Sequence, residues 1–300
     1  MAVPFLCPKP LRPGDAIAVV APSGVVEPAH FEAGMRFLQR RYVVRWTHGL
    51  LSQTGYLAGS DERRLKELQN AIDSDDIKAI FAVRGGYGAM RLLSKLQLQG
   101  RKPKWLVGFS DVTALHALWQ CMGWQSLHGP VVTQMGILHP EDLQTMLDAL
   151  EKNTGNHCLL GTRCLVPGTA SGPLLGGNLS VFSRLIGTPY MPDTRGAILL
   201  LEDNGEAPYR IDRMWTHLRL AGTLEKLAGI VLGEFFQHDR KNADQDCLAV
   251  LDSLASETGI PCVSGFSIGH GARNIAVRLG SQARLSAGSL RLTCLNGETE

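Results

Sequence analysis

A serine that follows a short apolar strand and precedes an amphipathic helix is set for nucleophilic chemistry, because the turn between them can lift the hydroxyl clear of a sheet. Gly108-Phe109-Ser110-Asp111-Val112 has that setting, although Val112 stands where the usual elbow carries its second glycine. The same residues also fit a plain helix start, with Ser110 as cap and Asp111 complementing the helix dipole. As a nucleophile Ser110 would need a base, and the base an orienting carboxylate. His116 lies too far along the same helix: at a rise of ~1.5 Å per residue it sits about 9 Å from the turn. His128, in His128-Gly129-Pro130, follows a possible strand. His270 lies in Gly269-His270-Gly271, where flanking glycines let the chain turn sharply and leave the ring accessible. Among carboxylates, Glu202 ends the apolar run Ala197-Ile198-Leu199-Leu200-Leu201, and a carboxylate abutting a buried strand needs a partner to offset its lost hydration. Asp203 and Glu206 are close enough to compete.

Acyl transfer also needs N–H donors for the developing oxyanion. The amide of Asp111, directly after the serine, is the natural first donor. Arg84-Gly85-Gly86-Tyr87-Gly88 follows a strand and opens a helix, so its glycines permit close backbone approach and its N–H groups favour negative charge. The loop fits neither phosphate-binding glycine motif, and a structural turn is its plain alternative. Gly176-Gly177-Asn178, before a helix-like stretch over 179–186, is a second glycine pair that could be only a turn.

The elements that must hold these residues follow from hydropathy. Strands are expected over 16–21, 42–46, 77–83 and 105–107, alternating with helical patterns around Phe31, Met35 and Leu38 and over 61–72, 90–96, 112–122 and 143–150. Continuous apolar strands separated by helices imply a parallel sheet covered on both faces, with ligands beyond the carboxyl ends of its strands. A Gly/Thr/Pro-rich stretch from Gly155 to Pro173 reads as a linker. Beyond it come strands at 198–201, 230–233 and 262–263, a helical stripe of Ile211, Met214, Trp215 and Leu218, and short strand-like pieces over 278–293.

Composition narrows the function. The 30 basic and 28 acidic side chains leave a net charge of +2, without the basic excess or stripe of a nucleic-acid binder. No apolar run approaches the ~20 residues of a membrane span, and no signal peptide is readable at the N-terminus. The 7 cysteines are scattered without a CxxC pair, and the 9 histidines show no metal-binding spacing. A cytoplasmic protein without metal or other cofactor is the expectation.

Taken in order, Arg84-Gly85-Gly86-Tyr87-Gly88, Gly108-Phe109-Ser110-Asp111-Val112-Thr113-Ala114-Leu115, His128-Gly129-Pro130, Leu175-Gly176-Gly177-Asn178-Leu179, Ile186-Gly187-Thr188-Pro189, Leu201-Glu202-Asp203, Pro208-Tyr209-Arg210-Ile211-Asp212-Arg213 and Gly269-His270 resemble the LD-carboxypeptidase family of serine peptidases. The resemblance spans nearly the whole chain. It implies a parallel-sheet, Rossmann-like α/β domain over 1–160 carrying the nucleophile, and a smaller β-rich domain over 161–300 carrying acid and base. It further implies a Ser110, Glu202, His270 triad, with an oxyanion hole from the N–H groups of Gly86 and Asp111. Arg84, Gly85 and Tyr87 are the substrate-binding candidates, with Arg84 an option for the terminal carboxylate. The implied reaction releases the terminal D-Ala of murein tetrapeptides during cytoplasmic peptidoglycan recycling, by a homodimer that needs no metal. Two rivals stand beside it: hydrolysis of peptidyl-nucleotide antibiotics by the same residues, conferring self-immunity, and a non-catalytic nucleotide- or sugar-binding α/β protein.

Overall fold

The computed structural model describes residues 5–152, 156–236 and 247–295. The first half is the expected alternation. Strands β1 (Ala16–Val20), β2 (Val43–Arg45), β3 (Ile77–Ala82), β4 (Trp105–Gly108) and β5 (Ser126–His128) pair in parallel in the order β5-β4-β3-β1-β2. Helices α1 (Pro28–Gln39), α2 (Asp61–Asp73), α3 (Thr113–Cys121) and α4 (Pro140–Glu151) cover the sheet. Because side chains alternate along a strand, Ile17, Val19, Phe81 and Val107 pack beneath α1 and α4, whereas Ala18, Val20, Ile80 and Leu106 pack beneath α2 and α3. Both faces are dry, which is why these strands read as unbroken apolar runs. The stretch expected as helix over 90–96 is a tighter 3₁₀ turn, Ala89–Lys95.

The expected linker is a correction. Gly155 lies outside the described residues, but the rest of the segment forms β6 (His157–Leu160), β7 (Arg163–Val166) and the start of β8 (Thr169–Asn178). Its glycines serve packing: a Cβ on Gly172 would stand 2.0 Å from the Gly196 carbonyl oxygen. These strands enter a second sheet with β9 (Ile198–Asn204), β10 (Gly229–Phe236), β11 (Cys262–Ser264), β13 (Gln282–Ser286) and β14 (Arg291–Cys294), in the order β6-β14-β13-β8-β9-β10-β11-β7. Its centre, β8-β9-β10-β11, is parallel and its flanks antiparallel. Helices α5 (Leu179–Ser183), α6 (Pro208–Leu220) and α7 (Cys247–Ser256) pack with β9 and β10 in one apolar cluster. Strand β12 (Val277–Leu279), directly after the His270 loop, returns to pair antiparallel with β5 of the first sheet. The halves also meet where Thr113 Oγ1, at the start of α3, accepts the Asn178 N–H at 2.9 Å. Gly176-Gly177-Asn178 is therefore a joint: a Cβ on Gly177 would press on Thr113, and Asn178 caps α5 by accepting the Val181 N–H. Among the described residues no helix is long and apolar enough to cross a membrane.

Candidate active site

Beyond the carboxyl end of β4 the chain makes the turn that the serine chemistry requires. Phe109 is extended, Ser110 adopts φ 63°, and a 3₁₀ turn leads into α3. Left-handed backbone costs a non-glycine residue about 1–2 kcal/mol, and such strain concentrates at functional sites. Gly85 abuts this turn so closely that a Cβ there would lie 2.8 Å from Ser110 Cβ and 2.9 Å from Oγ. Its carbonyl accepts the Gly24 N–H at 3.1 Å. Since C=O and N–H of a trans peptide point in opposite directions, the Gly86 N–H is turned away from Gly24. Among the described residues neither the Gly86 nor the Asp111 N–H has a hydrogen-bond partner. The buried Asp111 carboxylate anchors the loop by accepting the Ala89 N–H at 2.8 Å. Burial pushes its pKa up, against the bond from the loop backbone.

From the second sheet, β9 runs on past the apolar residues and carries Glu202 into full burial. The strand-end position read from sequence is thus a strand interior, and the carboxylate has the partner its burial demands: His270 Nδ1 lies 2.7 Å from Oε2. Glycine at position 269 permits this contact, because with φ +123° its Cβ would fall 2.7 Å from that oxygen. Burial raises the Glu202 pKa, but His128 and His270 outweigh it and hold the carboxylate below its ordinary range. For His270 burial opposes the charge, yet the hydrogen bond to Glu202 and the charges of Glu202, Asp203 and Glu234 lift its pKa above the usual value.

Ser110 and His270 line one cavity of about 360 Å³, together with Arg84, Gly85, Gly86 and Phe109. The Phe109 ring backs the imidazole, centroids 4.6 Å apart. Among the described residues no hydrogen bond joins Ser110 Oγ to the ring in this state. Arg84 is exposed and donates one bond to the Val25 carbonyl at 2.6 Å. Tyr87 lines an adjoining cavity of about 420 Å³ that shares Arg84 and Gly86 with the first.

The competing residues fall elsewhere. His116 is fully buried and its ring nitrogens are held by Gly108 O and Ser126 Oγ, each at 2.8 Å. Burial lowers its pKa to about 3, so it is a neutral strut under the Ser110 turn. His128, at the end of β5, is also fully buried, with Nε2 4.0 Å from Glu202 Oε1, and it does not line the cavity. Asp203 accepts the Ser180 and Asn204 N–H groups, and Glu206 the Ser180 hydroxyl. Burial and the neighbouring Glu202 charge raise Asp203 to about 7. Sequence reasoning passed over Gly24, whose N–H donates to the glycine loop at the Gly85 carbonyl, and Glu27, His30, Thr133, Gln134 and Asn204, which line the cavity. In the sequence Pro22-Ser23-Gly24 marks only the end of a strand.

Comparison with known proteins agrees over both halves. A family model described as the LD-carboxypeptidase N-terminal domain matches residues 17–129, and one described as the LD-carboxypeptidase C-terminal domain matches residues 171–285. The Bacillus subtilis protein named "Probable murein peptide carboxypeptidase" is 35% identical, over 93% of this chain and 91% of its own. The murein tetrapeptide carboxypeptidase of Pseudomonas aeruginosa is 32% identical, over 92% of this chain and 94% of its own. The crystal structure of muramoyltetrapeptide carboxypeptidase from Oxalobacter formigenes superposes with a TM-score of 0.82 at 30% identity, covering 93% of this chain and 97% of that one.

Proposed function

The chain belongs to the LD-carboxypeptidase family, and from that premise we propose that it is a serine carboxypeptidase that releases the terminal D-Ala from murein tetrapeptides. The observation that carries the reading is the convergence, in one cavity, of a serine held at φ 63° and a histidine whose other face is bonded to a buried glutamate.

In this reading Ser110 Oγ attacks the carbonyl before the terminal D-Ala while His270 Nε2 takes its proton. The N–H groups of Gly86 and Asp111 stabilise the oxyanion. His270 then passes the proton to the departing amine, leaving an acyl-enzyme that water resolves with His270 again as base. Glu202 fixes the tautomer with Nδ1 protonated and stabilises the imidazolium. Arg84 is the cation available to the terminal carboxylate, with Gly85 and Tyr87 beside it. We assign the nucleophile to a domain over 1–160 and the acid and base to one over 161–300, with β12 crossing back; the catalytic cavity then lies between them. The scattered spacing of the cysteines, with no CxxC motif, supports work in the reducing cytoplasm on recycled wall fragments, and family membership supports a homodimer.

Incubation of the purified protein with a murein tetrapeptide should yield tripeptide and free D-Ala, read by coupled D-amino-acid oxidation. A peptidyl-nucleotide cleaved in preference to the tetrapeptide would overturn the substrate assignment.

A further inference from the structure

Ser110 follows a strand of the first sheet, whereas Glu202 and His270 both come from the second half of the chain. The bond between those two orients the imidazole but does not fix where it lies relative to the serine. That placement must come from contacts between the His270 loop and the first half. β12 pairs with β5 only from Val277 onward. Between it and His270 stands Asn274, fully buried, whose side-chain oxygen accepts the Gly269 N–H at 3.1 Å. The Asn274 amide nitrogen lies 3.5 Å from Gln134 Oε1 on the cavity wall. Its backbone N–H donates to Asp142 Oδ2 at 3.1 Å, and Arg273 Nε donates to both oxygens of that carboxylate at 2.8 and 2.9 Å. Asp142 lies in the first turn of α4, which packs on the first sheet through Leu143, Met146 and Leu150. A continuous chain of bonds thus runs from a helix of the first half to the residue before His270.

The helix itself does not need a buried carboxylate at this position. The His139 ring caps α4 by accepting the Glu141 N–H at 3.4 Å, and the exposed Glu141 already complements the helix dipole. Asp142 is nevertheless fully buried, and every hydrogen bond its carboxylate accepts among the described residues comes from Arg273 and Asn274. Lost hydration offsets most of what a buried ion pair gains, so the best-attested use of such a pair is to fix register rather than to add stability. Register is what a base and nucleophile from different parts of the chain require, since a misplacement of about 1 Å can cost on the order of 10²-fold in rate. We propose that Asp142 and Asn274 are positioning residues that hold the His270 loop in register with the Ser110 turn. Neither lines the cavity, so both act through His270. The assignment rests on the Ser110, Glu202 and His270 reading above.

The test is a double-mutant cycle, read as D-Ala release from a murein tetrapeptide at a temperature well below every Tm. Asn274→Ala should lower kcat by about tenfold or more while KM stays near the parental value. In a His270→Ala background no imidazole remains to be placed, so the same substitution should change the residual rate by less than about twofold. Should Asn274→Ala not fold, Asp142→Asn serves instead. It keeps the shape and an acceptor for the Asn274 N–H, and Arg273, 39% exposed, can turn to water. Its loss should be about threefold or more, with the same dependence on background. Glu141→Gln removes only an exposed contact to Arg273 and should keep the parental kcat. A folded variant with parental kcat, a loss of equal size in both backgrounds, or the same loss in Glu141→Gln overturns the inference. No D-Ala release by the parental protein, or full turnover by His270→Ala, would instead overturn the reading on which it rests.

Discussion

Replacing Gly85 by alanine adds one methyl group against Ser110. The new Cβ would stand 2.8 Å from Ser110 Cβ and 2.9 Å from Oγ, where ordinary contact begins near 3.4 Å. The serine must retreat by about 0.6 Å, or the loop must lift by as much and drag the Gly86 N–H with it. Gly85 is not among the glycines with positive φ, so alanine meets no backbone penalty and the clash is isolated. Overpacking of this kind costs roughly 1–3 kcal/mol. Displacement of a reacting atom by a fraction of an ångström to 1 Å lowers the rate by about 10–10²-fold. Gly85→Ala should therefore lower kcat for D-Ala release by about that factor, with a modest loss in Tm. Gly288→Ala, where a Cβ meets nothing within 4 Å, is the matched control and should change neither. A Gly85→Ala protein with parental kcat and parental Tm would refute the argument that this loop is seated on the serine.

Four further outcomes follow from the same geometry. Ser110→Gly should be more stable than Ser110→Ala by about 1 kcal/mol in denaturant unfolding, because only glycine relieves φ 63°, and both should be inactive. The acid limb of kcat/KM should lie above pH 6.5, the ordinary histidine value, because His270 must be neutral to act and its pKa is raised; Glu202→Gln should move that limb downward. The stability drawn from the charged His270 is present below pH 6.5 and fades as pH rises through its higher folded value, so Tm should lose that contribution across this window in the parental protein and less in Glu202→Gln. His128→Ala leaves the His270 bond to Glu202 in place and should cost about tenfold in kcat, whereas His270→Ala should cost about 10³-fold or more.

Much of this was legible because the chemistry and the fold leave marks on neighbouring residues. Strands buried on both faces announced a parallel sheet, and Ser110 stood where such a sheet ends in a turn. Glu202 was recognisable from burial, since a carboxylate closing a run of leucines must find a partner. What local pattern could not decide was the partner's identity. His128 and His270 each suited the role, and both do flank Glu202; only the fold shows that one reaches the cavity and the other stays behind the carboxylate. The misread linker has a similar cause. Gly161 and Gly172 look like flexibility in a sequence, but they are glycine because side chains and carbonyls of neighbouring strands occupy the space a Cβ would need. Gly24 and Glu27 left no signature, because their contacts with the glycine loop and the cavity arise only from tertiary folding.

The central claim is that Ser110, activated by His270, is the nucleophile that cleaves the bond before a terminal D-Ala. Its most direct test is single-turnover D-Ala release from a murein tetrapeptide by the parental enzyme and by Ser110→Ala, with Tm measured alongside. We expect release by the parental protein and a loss of at least about 10³-fold in Ser110→Ala at near-parental Tm. Full turnover by a folded Ser110→Ala protein would contradict the account.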